Sequence, residues 1–239
     1  MALTVQKLCA IHQPNFFPWL GYFDKIRRAQ VFVFLDQVDY PRSGSGGMGS
    51  YVNRVKIAVR GQPHNVGAPI RRISLGTPIN HIMIDEQQRW RTKFVRTLAA
   101  NYARSKNFKH AMEIIQPLVH YPESNLAAFN IHAIKTIAAA LGYSDVRFVR
   151  QSELGGVRGR ATELLINLTR AAGCNAYLSG GGSAGYQNDE MFAEAGVKLV
   201  YQSFAPSPYG DAGGFVPGLS VIDYIMHECR ALKTNTELY

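Results

Sequence analysis

His12, Gln13 and Asn15 lie within a short polar elbow directly after the apolar run Leu8 to Ile11. An imidazole in such a place can serve as a general base, a phosphate ligand or a carbonyl polariser. The neighbouring carboxamides can orient a polar substrate beside it. Pro14 and Pro18 restrict the backbone of the same stretch. Tyr22, Asp24 and Lys25 follow one to two helical turns on, and Asp36 closes a second apolar run, Val31 to Leu35. Ligands of open α/β sheets bind beyond the carboxyl ends of strands. His12, Asp24 and Asp36 are therefore the candidate catalytic groups, with Gln13, Asn15 and Tyr22 as substrate contacts. Asp24 also has the spacing of an ordinary helix ion pair with Arg27 or Arg28, and Asp36 that of a plain turn residue.

Further candidates occur later in the chain. Asn53, Arg54 and Lys56 fall in an alternating segment, Tyr51 to Ile57, that reads as a half-buried strand. Arg54 and Lys56 share one face and could hold an anionic group, or simply form a polar strand surface. Ser179, Gly180 and Gly181 join a strand to a helix, and Tyr186 stands at the start of that helix. Glycines let a backbone approach a ligand closely, and a helix start offers free N–H groups. The pattern is not G-x-G-x-x-G, so no dinucleotide site follows. Ser220 has the place of an N-cap for the last helix. Asp223 and His227 are four apart and share a helix face, which suits an oriented imidazole or a surface pair. Neither H-E-x-x-H nor C-x-x-C is present, and no metal site is expected.

The elements that must position these residues read as follows. Residues 8–36 give strand, elbow, helix and strand. A Gly/Ser run at 43–50 lacks the G-x-x-x-x-G-K-S/T pattern of a P-loop and reads as a mobile loop or a connector. Val66 to Ile70 is a short extended piece. Asp85 to Tyr102 is helical, with Trp90, Phe94 and Leu98 four apart. Helices follow at Phe108 to Val119 and Leu126 to Leu141, the latter closed by Gly142. Val146 to Val149, Ala176 to Ser179 and Val197 to Tyr201 are strands, alternating with helices at Ala161 to Ala172 and Gln187 to Ala195. Ser220 to Cys229 is the final helix. The fold expected is α/β: a mostly parallel, Rossmann-like sheet with helices on both sides and a helical middle segment at about 85–142, in a single domain over 1–239.

Composition bounds the rest. The 239 residues are 46% hydrophobic and 18% charged, enough to bury a substantial core. No apolar run reaches the roughly 18 residues of a membrane span, and the N-terminus does not read as a signal peptide. Cys9, Cys174 and Cys229 are odd in number and dispersed, which fits reduced thiols in a cytoplasmic protein rather than a disulfide framework. The net charge of +9 suits an anionic partner such as a nucleotide or RNA, or a basic solvated surface.

Four stretches carry a resemblance. The run from His12 to Val38, then Asn53 to Lys56, then Ala176 to Gly180, then Phe215 to Asp223 resemble the WbqC-like protein family, in order and over nearly the whole chain. That family is encoded in bacterial O-antigen and natural-product gene clusters. The resemblance implies transfer of glycine or another aminoacyl group onto an amino group. The chain departs from the family pattern at the Gly/Ser run and at Gly181 and Gly182, where the family's usual proline is absent. A second resemblance is to the His-x-Gly-His elbow of nucleotidyltransferases, but Pro14 and Asn15 replace its glycine and second histidine, and no K-M-S-K-S segment is seen.

The leading expectation is an amide-forming aminoacyl transferase acting on the amine of a small molecule or amino sugar. In it His12 handles the proton, Gln13, Asn15 and Gly180 hold the acyl group, and Arg54 and Lys56 hold an anionic part of the donor. The donor could be aminoacyl-tRNA, a carrier-protein-bound group, or one activated with ATP. An ATP-dependent ligase or nucleotidyltransferase, and a non-catalytic ligand-binding protein of a biosynthetic cluster, are the alternatives.

Overall fold

A computed structural model describes residues 6–41, 50–180, 187–210 and 215–228. The chain forms two compact units. The first takes the described residues of Met1–Gln13, Gly21–Asp36 and Tyr143–Ala205; the second takes those of Pro14–Leu20, Gln37–Gly142 and Pro206–Tyr239.

The first unit is built on a five-stranded sheet in the order β5-β2-β1-β6-β7, every pairing parallel. Its strands are β1 (Leu8–His12), β2 (Val31–Phe34), β5 (Arg147–Arg150), β6 (Ala176–Ser179) and β7 (Lys198–Tyr201). β2 and β6 are buried along their whole length, which explains their continuous apolar sequence. On one face Cys9, Ile11, Val31, Val33 and Tyr177 pack with Ile166 and Leu168 of α5 (Ala161–Ala171) and Phe192 of α6 (Asp189–Glu194). On the other, Phe32 meets Tyr22 of α1 (Leu20–Arg28), and Phe34 stacks on Phe148. Helices thus flank both faces, as the Rossmann-like expectation requires.

Among the described residues the second unit contains an antiparallel hairpin, β3 (Arg54–Val59) with β4 (Gln62–Gly67), and the α-helices α2 (Trp90–Tyr102), α3 (Phe108–Val119), α4 (Leu126–Ala140) and α7 (Val221–His227). Its core is an aromatic cluster of Phe16, Phe17, Trp90, Phe94 and Phe129. The elbow Pro14–Trp19 is pinned there by its carbonyls. Asn130 Nδ2 donates to Pro14 O at 2.8 Å, Ser220 Oγ to Phe17 O at 2.6 Å, and Val221 N to Pro18 O at 2.8 Å. Phe17 has φ of 39°, a left-handed conformation that a bulky residue adopts only when its surroundings impose it. The hairpin differs from the sequence expectation. The segment Tyr51 to Asn53 is a turn, so β3 begins at Arg54, and β4 begins before the extended piece read at Val66. Among the described residues no helix is long and apolar enough to cross a membrane.

Candidate functional site

In the first unit the strand order reverses direction at β1, whose neighbours are β2 and β6. Such a switch point leaves a crevice at the strands' carboxyl ends. The register locates that switch point on the sheet. β1 pairs with β2 as far as His12↔Phe34, but with β6 only as far as Ala10↔Leu178. β6 itself continues beside β7 to Ser179↔Tyr201. β1 and β6 therefore part at Ile11 and Ser179. The carbonyl of His12 accepts Leu35 N–H at 2.8 Å on the β2 side, so the Ile11 carbonyl faces β6. There it accepts Lys25 Nζ at 3.1 Å.

His12 ends β1 and is half-buried. Its Nδ1 lies 3.3 Å from the Gln13 carbonyl, and its ring centroid lies 4.8 Å from that of Tyr22. Burial, and secondarily the Lys25 ammonium, lower its pKa to about 3; the Gln13 carbonyl opposes this weakly. The imidazole is thus neutral at pH 7. Nδ1–H donation to Gln13 O is the tautomer that this geometry favours, and it places the ring's lone pair on Nε2. Tyr22 is fully buried and donates its hydroxyl to the same Gln13 carbonyl at 2.9 Å. It fixes the turn out of β1. Sequence reasoning did not single out Lys25 as a site residue. It is 3% exposed, its Nζ lies 6.0 Å from the Tyr177 ring centroid, and burial lowers its pKa to about 8. The available signal was its position: Tyr22, Lys25 and Ile26 share the helix face that turns inward.

The other candidates of this unit are engaged in their own contacts. Asp24 is 1% exposed, pairs with Arg27 at 3.1 Å and Arg28 at 3.7 Å, and accepts Gln202 Nε2 at 2.8 Å. Asp36 accepts Ser152 N at 3.0 Å and Ser152 Oγ at 2.7 Å, tying the end of β2 to the turn after β5. Ser179 is buried at the end of β6, and Gly180 is half-buried after it. Gly181 and Tyr186 lie outside the described residues, as do Cys229 and the Gly/Ser run through Gly49. Cys9 and Cys174 are buried free thiols.

The second unit holds the remaining candidates. Asn15 is 2% exposed, and among the described residues its Oδ1 has no hydrogen-bond partner. Ser220 caps α7 by accepting Ile222 N at 3.1 Å while donating to Phe17 O. Asp223 accepts the hydroxyls of Tyr102 at 2.7 Å and Tyr209 at 2.8 Å, so its carboxylate is held by phenols rather than by His227. Burial and the Asp223 charge push both phenols up in pKa. Asn53 accepts Tyr40 Oη at 2.6 Å and donates to Ala68 O at 3.0 Å. Asn53 and Arg54 line a cleft of about 440 Å³ together with Lys93, Trp90 and Phe94. Lys56 does not line it; its carbonyl accepts Ser220 N at 2.8 Å. Among the described residues no group of three or more His, Cys, Asp or Glu side chains could hold a metal ion.

Residues 13–234 match the WbqC-like protein family. The chain is 26% identical over 227 residues to a Mycobacterium tuberculosis protein named "Uncharacterized protein Rv1507c", covering 92% of this chain and 94% of that protein. No solved structure matches.

Proposed function

Because the chain belongs to the WbqC-like protein family, we propose that it transfers an activated aminoacyl group, glycyl in the simplest case, to the amine of a small molecule or amino sugar. The observation that supports this reading is the neutral His12 imidazole beside the parting of β1 and β6. Amide formation joins the amine nitrogen to the acyl carbon. The leaving oxygen or sulfur of the donor departs with its electron pair, and the nitrogen loses a proton. A neutral imidazole with its lone pair on Nε2 can take that proton as the C–N bond forms. Gln13, fixed through its carbonyl by Tyr22, holds the ring in orientation. Backbone N–H groups at the end of β6 would receive the carbonyl oxygen as negative charge develops on it.

Purified protein should form an amide from an aminoacyl donor and an amine. The His12→Ala variant should lose about 10²–10⁴-fold in kcat/KM. Product formation that survives RNase and omission of tRNA would assign a donor other than aminoacyl-tRNA. Pyrophosphate release dependent on acceptor would assign activation with ATP to the same protein. Undiminished output from the His12→Ala variant would overturn the catalytic reading in favour of a ligand-binding protein.

A further inference from the structure

Lys25 is a buried cation without a counter-ion among the described residues. Its ammonium has three N–H donors, and among the described residues the Ile11 carbonyl is its hydrogen-bond acceptor. The ion pairs of the described residues do not include it. The titratable groups facing it are the Cys9 thiol, the His12 imidazole and the Tyr177 phenol, none of which is anionic at pH 7. The hydrogen bond with Cys174, and secondarily burial, keep the Cys9 thiol protonated, and burial pushes the Tyr177 phenol up to about 12. The adjacent carboxylate, Asp24, is committed to Arg27, Arg28 and Gln202.

A buried charge lacking a partner is costly to keep in a fold. Lys25 does not sit at random in the core. Its Nζ occupies the one carbonyl of β1 that faces β6 where those strands part, which is the ligand-binding end of a parallel sheet. An ammonium retained there against its own desolvation suits a ligand that brings the missing negative charge.

We propose that Lys25 is the receptor for an anionic oxygen, of phosphate or carboxylate type, on a ligand that enters between the carboxyl ends of β1 and β6. The inference concerns the charge of the ligand and does not depend on which group is transferred. Thermal unfolding of the full chain tests it at constant ionic strength, with chloride exchanged for inorganic phosphate in one arm and for acetate in another. Wild type should gain stability from at least one of the two, and the arm that responds identifies the oxyanion. Lys25→Met should lose the anion-dependent gain. Lys25→Arg should keep part of it. A wild-type protein indifferent to both anions, or a Lys25→Met variant that retains the gain, overturns the proposal. Should Lys25→Met fail to fold, ¹³Cε NMR of Lys25 in the wild-type chain decides the matter. Its titration near pH 8 should move upward on addition of the responding anion, and an unmoved midpoint rejects the proposal. Acyl transfer is measured separately, so its failure leaves this result intact.

Discussion

At the scale of single residues, His12 and Lys25 make stability depend on pH in separate windows. The folded-state pKa of His12, about 3, lies below the 6.5 of an ordinary imidazole, so the unfolded chain binds the proton more readily. Its contribution is complete above pH 6.5 and is lost as pH falls toward 3. Wild type should therefore lose on the order of 1–2 kcal/mol more than His12→Gln between pH 7 and 4.5, the half-buried ring being partly screened. Urea midpoints at the two pH values check this; parallel lines for the two proteins would refute it. Lys25 acts in the same sense at higher pH. Its folded pKa of about 8 lies below the ordinary 10.5, so stability rises as pH passes from 8 to 10.5. Lys25→Met should flatten that rise in urea midpoints measured between pH 8 and 10.5. The types of these residues could be read from sequence, but their charge states could not, because burial sets them. Asp24 and Asp36 show the same gap. Each has a carboxylate's chemistry, and only the fold shows that Arg27, Arg28 and Ser152 engage it.

At the scale of elements, the turn out of β1 is defined by carbonyls that the sequence does not display. Pro14 and Pro18 mark the elbow, but the groups that hold it, Asn130 and Ser220, are more than a hundred positions away. Ser220 was legible as an N-cap because a polar residue preceded an apolar helix; its donation to Phe17 O was not, since that contact is tertiary. Ser220→Ala removes both bonds and leaves the buried Phe17 carbonyl without this donor. It should cost about 1–3 kcal/mol in denaturant titration. The long helices α2, α3 and α4 were readable from apolar spacing. The β3–β4 hairpin was harder. Its turn is Arg60–Gly61 with φ of 52° and 75°, a pairing without the usual Asn-Gly signature, and most of β4 is exposed and polar. At its far end a Cβ on Gly67 would collide with the Asn53 carbonyl oxygen. Gly67→Ala should therefore shift the Asn53 turn and lower the thermal midpoint, while Gly61→Ala, with open space around it, should cost only the strain of its positive φ.

At the scale of the whole molecule, each compact unit is assembled from three separated stretches of chain. The segment 37–142 contains the hairpin and α2 to α4. It lacks Phe16 and Phe17, which fill the aromatic cluster, and Asp223, which binds Tyr102. Expressed alone, 37–142 should show no cooperative thermal transition by circular dichroism; a sharp one would show that the cluster closes without the elbow. The sheet has a similar order-of-arrival problem. β1 leaves the ribosome first, yet β6 follows roughly 160 residues later. At about 5–20 residues per second that is a delay of some ten to thirty seconds. Throughout it the β6-facing edge of β1 is unpaired, and an unpaired apolar strand is a template for aggregation. Lys25 is synthesised almost with β1 and needs only α1 to reach the Ile11 carbonyl. It can therefore act as a gatekeeper during biosynthesis, placing a charge on the open edge of the nascent strand well before the sheet is complete.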